Sequence, residues 1–385
     1  MGGGDQVAAG RRAGAPHGVW ICGLWGLLVA TVSGPSGAGA AEPTVRVLLR
    51  EAAERVEIAA AGERLSIRPA GKALRVGRRV RGPSLRLEGP SLRLDGRRYR
   101  GALEASRVPE GVRVVNELPL EAYVAGTILG EVHEAWGDAV LRAQAVAART
   151  YVLYRRAHAA GRAWDVEAGT RGQVYLGLDG ESPTAWRAVD ATRGEVLASG
   201  REVILAAFHA TAGGRTASAA EVWGEALPYL VSVDVDGEEV SPDTYWRAPV
   251  AAAELGDALA SLGAGVGPVR AVEVARRTPS GRAETLRVRG LGAETLVSAL
   301  ALRRALGEER LPSTLFEVRQ GPDGVVFVGS GRGHGVGMSQ WGARALAERG
   351  ASYRAILRHF YPGTGLVRLE RLARLAGSTV AGRAW

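Results

Sequence analysis

Between residues 44 and 116 apolar and polar positions alternate in short runs: Val45-Arg46-Val47-Leu48-Leu49, Val56-Glu57-Ile58, Leu65-Ser66-Ile67, Leu85-Arg86-Leu87 and Leu92-Arg93-Leu94. A period of two is that of half-buried β-strands, and Gly62, Gly71, Gly82, Gly89 and Gly96 punctuate them. Gly82–Glu88 and Gly89–Asp95 are near-duplicate heptads. Two copies are too few for a solenoid, so they read as a hairpin.

From Glu117 the period lengthens. Leu120–Gly130 predicts a helix, then a loop through His133 and Trp136-Gly137, then a long helix capped by Asp138 and running to about Arg156. Its apolar face is Val140, Ala143, Ala147, Tyr151 and Tyr154. Residues 196–210 predict one or two strands ending at Phe208-His209. Residues 251–320 alternate helix (Ala251–Leu262, Glu294–Leu306) with strand (Val269–Val274, Thr285–Val288, Phe316–Val318), the pattern of an inserted lobe. A strand Val325–Val328 then feeds the glycine-rich loop Gly329–Gly337. Ser339 caps a helix to about Arg349, and Ser352 caps another that Pro362-Gly363 ends. The expected organisation is a leader at 1–41, a β-rich region at 42–116, a core at 117–250 and 321–370 interrupted by the 251–320 lobe, and a tail at 371–385.

The leader changes the composition. Arg11 and Arg12 precede a 15-residue apolar run, Gly18–Val32, and small residues lead to Ala38-Gly39-Ala40-Ala41. That is a secretory signal pattern, with an uncleaved anchor as its alternative. Cleavage removes Cys22, the only cysteine, and moves the net charge from +9 to +8. The protein is therefore expected outside the cytoplasm, without thiols or disulfides, and attracted to polyanions such as an anionic wall. Of the 49 basic residues only Lys72 is lysine. Such a bias reflects base composition and weakens arguments from any single arginine.

Several catalytic signatures are absent. His133-Glu134-Ala135-Trp136-Gly137 lacks the second histidine of a zinc-protease helix. There is no Gly-x-Ser-x-Gly elbow, no lysine for a Walker loop, and no third glycine for a dinucleotide fingerprint. Neither a metal site nor a cofactor is expected.

Two segments carry more. One runs from Asn116-Glu117-Leu118-Pro119-Leu120-Glu121-Ala122-Tyr123 through Gly130-Glu131 to Ala143-Gln144-Ala145-Val146-Ala147-Ala148-Arg149-Thr150-Tyr151. The other is Gly333-His334-Gly335-Val336-Gly337-Met338-Ser339-Gln340-Trp341-Gly342-Ala343, followed by Phe360-Tyr361-Pro362-Gly363. A third stretch holds Phe208-His209-Ala210-Thr211-Ala212-Gly213-Gly214, Glu221-Val222-Trp223-Gly224 and Pro228-Tyr229-Leu230. Together they resemble the stage II sporulation protein D (SpoIID) family, whose domain also occurs in LytB-type amidase enhancers.

The resemblance implies an α+β, two-lobed fold with a central substrate groove between the Glu131 helices and the Gly333–Gly342 loop. It also implies a lytic transglycosylase that cuts peptidoglycan glycan strands stripped of stem peptides, with an amidase as possible partner. The family's catalytic glutamate falls on Glu131 and its helix arginine on Arg149. Relatives read Glu-Met-Pro where this chain has Glu131-Val132-His133, which alters the loop beside the acid. The Cys/His zinc cluster of some relatives is missing, since Glu167–Gly172 contains neither residue type.

The chemistry suits a single acid. A glycosidic bond breaks when a carboxylic acid protonates the leaving oxygen. A transglycosylase can reuse that group as base on the muramic C6 hydroxyl, giving a 1,6-anhydro sugar. Glu131 must then hold its proton near neutrality, with Ile128, Leu129, Val132 and Trp136 as apolar surroundings that raise its pKa towards about 6–7. Arg149, Gln144, His334, Gln340, Ser339 and Tyr229 are the candidate substrate-binding residues. Each has a plainer account: a surface arginine, a packed or capping glutamine, a turn-stabilising histidine, a helix cap, a packing tyrosine. His209 is left undecided. Two rivals stand beside the enzyme, a non-catalytic wall-binding enhancer of an amidase and an ordinary glycosidase. No nucleic-acid partner is expected, and membrane contact only through an uncleaved leader.

Overall fold

A computed structural model describes residues 42–372 apart from Ala61 and Arg171; the leader assigned from sequence, and the tail from residue 373 on, lie outside the described residues. The first strands are β1 (Thr44–Ala53), β2 (Val56–Ala60), β3 (Glu63–Ala70), β4 (Ala73–Val76), β5 (Arg79–Val80), β6 (Ser84–Leu94), β7 (Arg97–Val108) and β8 (Gly111–Pro119). Helices α1 (Leu120–Glu131) and α2 (Asp138–Ala157) follow, then β9 (Val166–Glu167) and α3 (Pro183–Ala191). These strands build one nine-stranded sheet, ordered β5-β4-β3-β2-β6-β7-β8-β1-β9. Only the β1–β9 pairing is parallel. The alternation that predicted strands also divides the sheet's faces: Val45, Val47, Ile58, Ile67, Leu92, Leu94 and Leu103 join one core with Tyr123, Val124 and Ile128 of α1 and Val140 and Val152 of α2.

The duplicate heptads are not a hairpin. Both lie in β6, which stays paired with β7 throughout and absorbs Gly89-Pro90 in a register shift between Gly89 and Leu92. Pro90 has no N–H to give a ladder, so the strand bulges there instead of turning. The chain reverses later, at Asp95-Gly96, where both residues have positive φ.

The second half comprises β10 (Glu195–Ser199), β11 (Glu202–Val203), β12 (Phe208–His209), α4 (Ala219–Trp223), β13 (Trp246–Ala251), α5 (Ala252–Ser261), β14 (Val269–Arg277), β15 (Ala283–Gly290), β16 (Glu294–Ser298), α6 (Ala299–Leu306), β17 (Phe316–Gly321), β18 (Gly324–Gly329), β19 (Met338–Ser339), α7 (Gln340–Glu348), α8 (Tyr353–Phe360) and β20 (Gly365–Arg368). The chain is α+β, as the sequence implied. The stretch read as a helix from Glu294 is divided: Glu294–Ser298 pairs with β15, and Ser298 caps the helix that starts after it. Asp138 is the first residue of α2 rather than its cap, and it pairs with Arg142 one turn on.

Two further cores lie in this half. Residues from Trp246 to Phe327 share a core of their own, reaching beyond 251–320 at both ends. The other joins Ala143, Val146 and Ala147 of α2 to Val336, Met338, Ile356 and Phe360. Thus α2 packs on both sides, and its run of alanines gives that close fit.

Candidate active site around Glu131

Glu131 ends α1, and the site is built by what presses against that end. Two glycines one turn apart on α1 make this possible. A Cβ on Gly130 would stand 2.1 Å from the Val174 carbonyl oxygen, and one on Gly126 2.8 Å from that of Gly177. With no side chain there, the segment after β9 lies backbone to backbone on the helix, and Leu176 N–H donates to the Gly126 carbonyl at 2.9 Å. Buried hydroxyls hold the segment from below. Tyr175 donates to Asn116 Oδ1 at 2.8 Å, and Tyr123 donates to Gln173 Oε1 at 2.6 Å. Asn116 in turn donates to the carbonyls of Arg100 and Ala102. The result is one backbone donor aimed at the acid: Val174 N–H meets Glu131 Oε1 at 2.6 Å.

The other carboxylate oxygen faces Gln340 at the start of α7, whose Nε2 donates to Oε2 at 3.4 Å. Nearby, the Trp136 and Trp341 rings lie 4.7 Å apart, with the Arg344 guanidinium 4.9 Å from the Trp341 ring. Among the described residues no cation pairs with Glu131. Burial raises its pKa above the ordinary value; the Val174 and Gln340 hydrogen bonds oppose this and do not cancel it. The carboxyl also sits at the negative end of the helix dipole, with no basic residue in that last turn.

The remaining candidates separate. Arg149 is fully buried and is the largest such side chain. Its Nε and Nη2 donate to the Glu121 carboxylate, Nη2 at 2.6 Å, and Nη1 donates to the Glu195 carbonyl. It ties α2 to the start of α1 and has no surface for a sugar, so its expected binding role is corrected to a structural ion pair. Ser339 is also corrected: buried, it caps α7 by accepting Gly342 N–H and donates to Glu238. That carboxylate also gathers the N–H groups of Ala212, Gly213 and Gly214. Tyr229 is nearly buried, and its hydroxyl accepts Leu205 N–H at 3.3 Å, which makes it a packing residue. Gln144 is fully buried, and among the described residues neither amide atom has a hydrogen-bond partner; surface contact is closed to it.

His334 is held in a different set of contacts from those of Glu131. Its Nδ1 accepts Val336 N–H at 3.0 Å, and its ring lies 5.6 Å from that of His209 and 5.5 Å from that of Trp223. Burial lowers its pKa to about 4, so it is neutral at pH 7. It lines a cavity of about 210 Å³ with Glu221, Arg282 and Arg303. His209, undecided from sequence, is buried, bonded through Nδ1 to the Val336 carbonyl, and held neutral by burial. Sequence reasoning missed Val174, whose contribution is a backbone N–H; the signal for it was the pair Gly126 and Gly130. Among the described residues there is no group of three His, Cys, Asp or Glu placed to hold a metal, and no helix is long and apolar enough to cross a membrane.

A desolvated, half-buried carboxyl on a helix end, held by one backbone N–H and one carboxamide, defines a protein with an acid poised to hold a proton at its site. The family model "Stage II sporulation protein" (SpoIID) matches residues 109–198, which hold Glu131, Gln144, Arg149 and Val174. A second, for a domain of unknown function (DUF8618), matches residues 218–337. Stage II sporulation protein D of Bacillus subtilis is 31% identical over 268 residues, covering 65% of this chain and 75% of that protein. An uncharacterized protein of Brachyspira hyodysenteriae is 32% identical over 277 residues, 71% of this chain and 73% of its own. The amidase enhancer of Bacillus subtilis is 30% identical over 286 residues, 63% of this chain but 40% of the enhancer. The chain belongs to the stage II sporulation protein D family.

Proposed function

We propose that this protein is an exported lytic transglycosylase that cleaves the MurNAc–GlcNAc bond of peptidoglycan strands lacking stem peptides, with Glu131 as its one acid and base. The observation that carries the reading is the environment of Glu131: desolvated, free of cations among the described residues, and anchored by Val174 N–H through one oxygen only. Oε1 accepts that N–H, so the proton belongs on Oε2, beside Gln340. In the first half-reaction the Oε2 proton passes to the leaving GlcNAc oxygen as the glycosidic bond breaks. The carboxylate then takes the proton of the muramic C6 hydroxyl while O6 bonds to C1. The acid is regenerated, no water is consumed, and the new end is 1,6-anhydroMurNAc.

Purified protein incubated with denuded glycan, with products read by mass spectrometry, tests this. Anhydromuramic ends should form and fall by about 10²–10⁴-fold in Glu131→Gln. Equal yields from the two proteins would refute it, and reducing ends would indicate an ordinary hydrolase. The amidase-enhancer relative supports a second reading, stimulation of an N-acetylmuramoyl-L-alanine amidase without cleavage. In that case an amidase assay would respond equally to both proteins.

A further inference from the structure

Outside the site, the most uneven feature of the surface is its charge. Arginines are frequent throughout, and many of the exposed ones have acids beside them: Arg86 pairs with Glu88 and Glu117, Arg287 with Glu273 and Glu294, Arg332 with Asp243 and Glu309. The outer half of the nine-stranded sheet differs. From Arg64 to Arg81 it carries seven basic residues and no acid, and none of the seven has an ion pair among the described residues; of the two acids that flank this stretch on β2 and β3, Glu57 is already paired with Arg55, and Glu63 lies at the β2–β3 turn.

Edge protection explains part of this. β5 is the last strand, and cations at Arg78, Arg79 and Arg81 keep such an edge from pairing with another chain. It does not explain the cations on the sheet's face. Leu65, Ile67, Leu92 and Leu94 turn towards the core, so Arg64, Arg68 and Arg93 stand on the opposite, exposed face. Register puts Arg68 directly opposite Arg75 across β3 and β4, a like-charge pair that costs stability. One row over, Arg64, Ala59 and Arg93 are neighbours across β3, β2 and β6. The small Ala59 leaves a cleft of about 190 Å³ between the two arginines, completed by Ala60, Gly62 and Ser91 and lined by no carboxylate.

We propose that this face, centred on Arg64, Arg68, Arg75 and Arg93, is a docking surface for a linear polyol-phosphate polymer, a phosphodiester chain that carries no bases. A phosphodiester presents two non-bridging oxygens that share one negative charge and point apart, so guanidinium groups on opposite walls of the cleft can each take one. Neighbouring phosphates along the chain then relieve the Arg68–Arg75 repulsion. The surface lacks the aromatic residues on which single-stranded bases stack, since residues 62–82 contain no Phe, Tyr or Trp. It also lacks the aromatic anchors of a membrane-interface element. The inference is independent of glycan cleavage, and Glu131→Gln should bind the polymer as the parent does.

Binding of the full chain to soluble poly(glycerol phosphate), measured by calorimetry between about 50 and 200 mM salt, tests it. Replacing Arg64, Arg68, Arg75 and Arg93 by Gln should weaken binding by about tenfold or more and flatten its salt dependence. Replacing Arg187, Arg304, Arg319 and Arg358, exposed elsewhere, should change it less than about twofold. Arg68→Gln alone should melt no lower than the parent while binding more weakly, which separates a ligand role from a folding role. The proposal is overturned if the two quadruple variants lose affinity equally or if the polymer does not bind. It is also overturned if single-stranded DNA, polyglutamate or phosphatidylglycerol vesicles bind as tightly with the same dependence on the four arginines.

Discussion

Helix α1 carries a buried or half-buried glutamate at each end, and the two are treated in opposite ways. Glu121 lies in the first turn, where the helix dipole favours negative charge. It accepts from the Arg149 guanidinium and from Gly194 N–H. Glu131 lies in the last turn, where the dipole disfavours negative charge, and it receives one backbone N–H and one long carboxamide bond. One carboxylate is bonded to a guanidinium and clamps the two helices together. The other is left in a place that prefers it neutral. Ten residues of helix therefore separate a structural clamp from the glutamate proposed to do the chemistry, and the difference comes from the partners, not from the residue type.

The largest test of this contrast breaks the structural end. Arg149→Met leaves Glu121 buried without its cation and should cost about 3–5 kcal/mol, seen as a large fall in the denaturation midpoint. Adding Glu121→Gln should recover part of the loss. At the chemical end, Gly130→Ala places a methyl against the Val174 carbonyl and must displace the segment that donates to Glu131. A shift of about 1 Å there should lower turnover by about 10²-fold, a larger effect than its change in melting temperature.

Glu131→Gln should do the reverse of Arg149→Met for stability. The folded pKa of Glu131 lies above its unfolded value, so the folded state binds more protons in that interval and loses stability as pH rises through it. The glutamine variant should melt higher than the parent at pH 8, with the gap closing at pH 4. The smallest effect belongs to Gln340→Leu. Its weak hydrogen bond favours the carboxylate, so removing it should move the pH profile of cleavage to higher pH and cost a few-fold in rate. A profile that moves to lower pH would contradict the assignment.

Strands and helices were legible where the apolar period was clean, as in β1, α2 and α8, and where a serine cap preceded the helix, as at Ser339 and Ser352. The β6 heptads misled because a bulge and a turn share the residues Gly and Pro, and only pairing with β7 separates them. At Glu294 a strand runs directly into a helix, and one-dimensional periodicity cannot mark the change. Of the candidate site residues, the structure brings Glu131 and Gln340 together. The family pattern indicated Glu131 but also put forward Arg149, Ser339 and Tyr229, which the fold has used for an ion pair, a cap and packing. A motif records which residues the architecture needs without saying whether they face substrate or hold the residue that does. The Val174 N–H carries no side-chain signature, and two glycines on the facing helix were its only trace.

The claim that separates the ends of α1 is that Glu131 carries a proton under conditions where an ordinary glutamate has lost it. Difference infrared spectroscopy of the parent protein against Glu131→Gln, across a pH series, reads that proton directly. The account predicts a protonated-carboxyl band, absent from the variant, that titrates clearly above the ordinary value of 4.5. A band that disappears at or below that value would contradict it.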